Sequence, residues 1–216
     1  MSDSNLSFEI SKPFGPSICE FELEDSIISD LNSYTENIIK DKKKSEKLDY
    51  GHGLAGQVKQ EFMLEPKFFN EKIAPVLTHA IKKYTWESIG KKIDTKFDSF
   101  KNKVTVNYKS AWIVRQFENE YNPIHFHTGD VSGVCYTLLP KSFGDKSQKN
   151  KKKNPNGCIA LVHGSDQFLS NAIKLIEPKI GKFILFPNYM LHTVYPFKGS
   201  GERRSFSFNA SIEYKK

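Results

Sequence analysis

The run RRSFSFNASIEY, residues 203–214, alternates along its length. Phe206, Phe208, Ala210 and Ile212 fall on one face, and Arg203, Ser205, Ser207 and Asn209 on the other. That period of two belongs to a strand. It is the clearest of a series. After Lys101 the chain breaks into short β-branched and aromatic stretches, at 104–117, 131–139, 158–162, 182–186 and 192–195, with turn residues between them. Many short strands with no helical pattern between them restrict the second half to an antiparallel sandwich or barrel.

The first half has a different rhythm. Ile27, Ile28, Leu31, Tyr34, Ile38 and Ile39 make a helical stripe over 25–47, with Asp25 as its N-cap. A second stripe (Phe69, Ile73, Val76, Leu77, Ala80, Ile81, Tyr84) predicts a helix over 65–86. Pro66 suits its first turn, and Pro75 kinks or splits it. The glycine-rich stretch between the helices, 49–64, reads as a loop or a short strand. The expected class is therefore α+β and mainly β. In a single domain, a helical part at 1–100 packs on a barrel at 101–216.

Of 216 residues, 38% are hydrophobic and 26% charged, as in an ordinary globular chain. No apolar run reaches bilayer length. MSDSNLSFEISKPFGP, at the start, has neither a basic start nor an apolar core, so no signal peptide is expected. Three widely spaced cysteines, Cys19, Cys135 and Cys158, argue against a disulfide framework and for a reducing, cytoplasmic setting. The formal charge of +7 comes largely from the runs KDKKKSEK (40–47) and KSQKNKKKNP (146–155). Such runs can attract nucleic acid, but the second has no aromatics for base stacking. A solvated helix end and a flexible loop are the favoured reading.

The chemistry concentrates in NPIHFHTGDVSG, residues 122–133. His125 and His127 are two apart, so a strand would aim both at one object. His192, in FPNYMLHTVYP, lies on a distant strand that a barrel can bring beside them. A local histidine pair with a distant third suits Fe, Zn, Cu or Ni and leaves coordination positions open. Asp130 is near enough to offer a carboxylate. His52, His79 and His163 stand alone and read as structural. Asn107, Trp112, Ser132, Gly133, Tyr136 and Asn209 are candidates to line the barrel mouth.

The ordered series NPxHxH, SGVxY (132–136), GxxxLFPxxxxH (181–192) and ERRSFSFN resembles the Fe(II)/2-oxoglutarate-dependent oxygenase superfamily. More narrowly, it is similar to a family of such oxygenases found in bacteria and phages. The likeness spans about 107–209. It implies a double-stranded β-helix, or jelly roll, that holds Fe(II), takes 2-oxoglutarate and O2 as co-substrates, and hydroxylates an unidentified primary substrate with release of succinate and CO2. A phage origin would make the setting a host cytoplasm.

Carried over by position, His125 and His192 match the superfamily's two histidines, and its carboxylate position falls on His127. Either His127 is itself a ligand, which needs no special turn, or Asp130 folds back through Gly129. Arg203 and Ser205 match the family's Arg-x-Ser, the arginine fork suiting the far carboxylate of 2-oxoglutarate. Tyr136 joins them as a co-substrate contact. Arg204 would point outward or pair with an acid. Two other readings stay open: a cupin-type metal dioxygenase or isomerase without 2-oxoglutarate, and a non-catalytic nucleic-acid-binding protein.

Overall fold

The computed structural model of the chain describes residues 15–215. The expectation about a signal peptide falls mostly on residues 1–14, outside them. Among the described residues ten strands form two antiparallel sheets. They are β1 (Cys19–Glu22), β2 (Gln60–Met63), β3 (Val104–Gln116), β4 (Asn122–His125), β5 (Val131–Leu138), β6 (Ile159–Val162), β7 (Ile173–Ile176), β8 (Lys182–Pro187), β9 (Leu191–Val194) and β10 (Arg203–Tyr214). The larger sheet has the order β1-β8-β5-β10-β3-β2, and the smaller β4-β9-β6-β7.

The last eight strands pair as a nested hairpin: β6 with β7, β5 with β8, β4 with β9 and β3 with β10. Further pairing of β5 with β10 and of β6 with β9 rolls that hairpin up. This is the double-stranded β-helix, and it sets residues far apart in sequence opposite one another. All the predicted strands are present, β10 with the predicted bounds. Two strands that the sequence did not announce are added, β1 and β7, and the strand expected to carry both histidines, β4, ends at His125 and leaves His127 beyond it.

The helices cover the outer face of the larger sheet. Helix α1 (Asp25–Lys40) buries Ile28, Leu31, Thr35 and Ile38. Asp25 begins the helix, but its N-cap is Glu24, which makes no side-chain cap bond. The predicted single helix to 47 is broken at Asp41, which is extended and whose carboxylate accepts from the Lys44 N–H to cap α2 (Lys42–Leu48). The second predicted helix is also divided. A short turn, α3 (Pro66–Phe68), passes through a π-helical segment, Phe69–Ile73, into α4 (Ala74–Ser88). Pro75 lacks an N–H for the α ladder, and the wider turn just before it absorbs that defect. The last helix, α5 (Phe97–Lys103), leads into β3. No helix among the described residues is long and apolar enough to cross a membrane.

Two cores follow. Leu31, Ile73, Leu77 and Ile81 of the helices pack on Phe183, Phe206 and Phe208 of the larger sheet. Each such side chain, fully buried, contributes about 2 kcal/mol. Between the sheets lie Val134, Ile184 and Phe186 against Ile159, Leu161 and Val194. The apolar face of β10 thus lies under the helices, and its polar face, Arg203 to Asn209, looks into the barrel.

Candidate active site

The smaller sheet places the histidines. In its register His125 of β4 is directly opposite His192 of β9. His127 follows β4, and its backbone is locked to Asn188: the His127 N–H donates to Asn188 O (3.0 Å), and Asn188 Nδ2 donates to His127 O (2.9 Å). One ligand atom from each of the three rings lies within 4.8 Å of the others. Trp112 of β3 closes one side, edge-on to His127 at 5.6 Å between ring centroids.

Hydrogen bonds fix which nitrogen is free. His125 Nδ1 lies 2.7 Å from Pro123 O, and His192 Nδ1 lies 3.0 Å from Met190 O. A carbonyl only accepts, so Nδ1 of each ring carries the proton, and Nε2 keeps a lone pair. Burial, and then the neighbouring imidazoles, favour neutral rings. His192 is pulled down to about 3 by burial and by His125; His127 falls to about 4 by burial and by His125. His125 is lowered by burial, partly offset by its bond to Pro123 O. These are unprotonated nitrogen donors at neutral pH, as metal ligation requires.

Asp130 is elsewhere. It is exposed, and its Oδ2 accepts from the Ile212 N–H at 2.7 Å, pinning the loop after β4 to β10. It is not part of the cluster.

Arg203 is 1% exposed and lines the same cavity. Its Nε donates to Gly157 O (3.0 Å) and its Nη1 to Gln116 Oε1 (3.0 Å). Gly157 presents that carbonyl at φ +71, where a Cβ would lie 2.3 Å from the Phe143 ring. Tyr136 lies flat against the guanidinium, with Cζ 4.7 Å from the ring centroid. Two buried polar groups here have no partner: Arg203 Nη2 and the Tyr136 hydroxyl. Buried donors are rarely left so, and together they fit an anionic group of a ligand. Ser205, opposite Tyr136 on β5, lines the same cavity. Arg204 points the other way, under α1, and pairs with Glu202 (2.6 Å) and Glu36 (2.7 Å), the acid pairing foreseen for it.

Of the other candidates, Trp112 and Gly133 line the cavity. Ser132 and Asn209 bond to each other (2.8 Å), while Asn107 bonds to Glu213, away from the cavity. His52, His79 and His163 sit beside Tyr50, Phe97 and Tyr189, outside the cluster. Sequence reading missed Gln116, which orients Arg203, and Asn188, which holds His127. The cross-strand register reveals Gln116, opposite Arg203, and the contact between the turns after β4 and β8 reveals Asn188.

Residues 110–209 match the family model described as "Putative 2OG-Fe(II) oxygenase". Over those residues, just under half of its length, the chain is similar to 2OG-Fe(II) oxygenases. Its fold is also that of solved enzymes. A Pseudomonas putida prolyl-4-hydroxylase superposes at TM-score 0.57 with 12% identity, covering 89% of this chain and 91% of that one. The non-heme alpha-ketoglutarate-dependent epimerase SnoN of nogalamycin biosynthesis superposes at 0.56 with 12% identity, covering 93% and 81%. The carbocyclase SnoK of the same biosynthesis gives 0.55 with 9% identity, covering 93% and 82%. No curated protein matches the chain in sequence. Enzymes of that family use Fe(II), 2-oxoglutarate and O2, and the donor set found here, three imidazoles with an arginine beside them, fits that requirement.

Proposed function

We propose that His125, His127 and His192 hold the Fe(II), that Arg203, flanked by Ser205 and Tyr136, holds the far carboxylate of 2-oxoglutarate, and that the reaction is hydroxylation of a second substrate. The observation that carries this is one cavity lined both by three imidazole donors and by Arg203, whose buried Nη2 has no partner. When bound, the metal and co-substrate supply the oxidising power from O2, with release of succinate and CO2.

The chain's own part is orientation and charge. Pro123 O and Met190 O hold two rings with Nε2 presented, and the Asn188 clamp fixes the backbone of the third. Gln116 and Gly157 aim the guanidinium and leave its remaining N–H groups for a carboxylate. Trp112 and Phe186 wall off the rings from water. Three neutral imidazoles leave the metal's full charge, which a dianionic co-substrate offsets. In this reading Asp130 is a loop clamp and not a ligand.

The primary substrate is set by residues around the mouth. Enzymes of this fold include a prolyl hydroxylase, an epimerase and a carbocyclase, so the fold alone does not choose. A cytoplasmic setting is supported by three free cysteines, two of them buried.

The test is anaerobic titration of metal-free protein with Fe(II) and then 2-oxoglutarate, following the visible charge-transfer band of the chelate. The band should form in the wild type. Arg203→Ala should weaken co-substrate binding by about 30-fold or more, the cost of losing one partner of a buried charged pair. Iron binding without a band would favour the cupin-type reading, for which Arg203 has no task. Failure to bind iron would overturn both.

A further inference from the structure

Next to the cavity, behind its lining residues Val114 and Asn122, stands a carboxylate that the reaction above leaves idle. Glu61 of β2 is directly opposite Val114 of β3, which is directly opposite Ser205 of β10. Opposed residues of an antiparallel pair share a face. Glu61 is therefore the outer member of an inward-facing row that begins beside Arg203. It is 2% exposed, and its Oε2 has no hydrogen-bond partner.

Two further acceptors lie near it, and of these Asp49 Oδ1 also takes the Gly51 N–H (3.0 Å). A Cβ built on Gly51 would lie 3.9 Å from Glu61 Oε2 and 3.5 Å from Asp49 Oδ1. One built on Gly56 would lie 2.8 Å from Glu61 Oε1 and 3.1 Å from Asn122 Oδ1. Asn122 also lines the histidine cavity, three positions before His125. No cation among the described residues is paired with Glu61. Burial and then Asp49 push its carboxyl up to about 7. A buried carboxylate beside a second acid and an amide oxygen has one kind of complement, a multivalent hydrogen-bond donor carrying positive charge. A metal ion fits less well. Among the described residues only the histidine cluster gathers three or more such ligand groups, whereas an ammonium or guanidinium can donate to all three oxygens.

We propose that Glu61, with Asp49 and the carboxamide oxygen of Asn122, receives a protonated amine or guanidinium of the primary substrate. The site then selects substrates that carry a basic group beside the carbon to be oxidised. This rests on the oxygenase reading of the adjoining cavity, but cation binding itself requires no metal.

The test uses the full chain, metal-free, in calorimetric titrations with N-acetyl-lysinamide and N-acetyl-argininamide. Their uncharged counterparts are N-acetyl-norleucinamide and N-acetyl-citrullinamide. The wild type should bind at least one basic member about 10-fold or more tighter than its neutral counterpart. Glu61→Gln, which keeps the shape and removes the charge, should abolish that preference while its melting temperature shows it folded. Equal affinities in the wild type, a preference that survives Glu61→Gln, or no binding at millimolar concentration would each overturn the proposal. Repeating the titration after loading with Fe(II) and 2-oxoglutarate separates the two readings. If no charge-transfer band forms, the oxygenase assignment of the histidines fails, and the metal-free titration still decides the role of Glu61.

Discussion

His125 and His192 stand opposite each other across β4 and β9 with their ring centroids 4.1 Å apart. Two charged imidazoles that close would repel, and burial holds His192 down at about 3. The nested hairpin has therefore set two neutral nitrogen donors side by side before any metal arrives. Loss of a group that only orients a ligand typically costs about 10–100-fold in metal affinity. Loss of the ligand itself should exceed that range. His192→Ala is expected to bind Fe(II) more than about 100-fold more weakly and to lose substrate-independent turnover of 2-oxoglutarate. Titration with Fe(II) or Co(II) measures the first, and succinate release the second.

Tyr136→Phe should separate folding from binding. The hydroxyl is buried without a partner, so removing it should leave the metal-free protein as stable or raise stability by up to about 1 kcal/mol. The ring remains against Arg203. If the hydroxyl belongs to the co-substrate, its loss should weaken 2-oxoglutarate binding several-fold. Thermal melting and the charge-transfer titration should thus move in opposite directions. A variant that melts lower and binds normally would make Tyr136 a structural residue only.

What the sequence made legible follows from which forces act locally. β10 alternates without interruption, so its bounds and faces were readable. Alternation alone did not say which face looks inward; the Arg-x-Ser motif did, since it put Arg203 and Ser205 at the site, and the helices take the apolar side. β4 is four residues with a proline inside, tolerable only because it edges the smaller sheet. β7 is as short, and nothing local distinguishes it from a loop. His125, His127, His192 and Arg203 stand out by motif. Gln116, Asn122 and Glu61 do not, since their inward placement is fixed by pairing with strands far along the chain.

Gly133 tests how tightly the larger sheet is packed under the helices. A Cβ there would lie 2.6 Å from Phe183, 2.7 Å from Phe208 and 2.9 Å from Leu185, all fully buried. Three neighbours cannot all yield, so Gly133→Ala should cost about 1–3 kcal/mol. In a chain of this size that is a fall of roughly 3–10 °C in melting temperature. Iron affinity of the folded fraction should change little, because the clash is on the helix side of β5. Calorimetry and metal titration of the same sample check both halves.

Glu61 should leave a signature in the pH dependence of stability. Its carboxyl is raised from 4.5 to about 7 by burial and by Asp49, so the folded chain keeps a proton that the unfolded chain releases. Stability from this group is therefore full below about 4.5, falls as pH rises, and levels off above about 7. The buried histidines run the other way. His127 and His192 sit at about 4 and about 3 against 6.5 unfolded, so their contribution is full above 6.5 and is lost as pH falls below it. Between about 4.5 and 6.5 the two slopes oppose, and the wild-type curve alone would hide both. Glu61→Gln removes only the first. Its melting temperature relative to wild type should rise steadily from pH 4.5 to 7 and then hold constant, measured on metal-free protein at fixed ionic strength. A difference that does not vary with pH would mean that the carboxylate is already compensated in the folded chain, and would count against an unfilled cation site at Glu61.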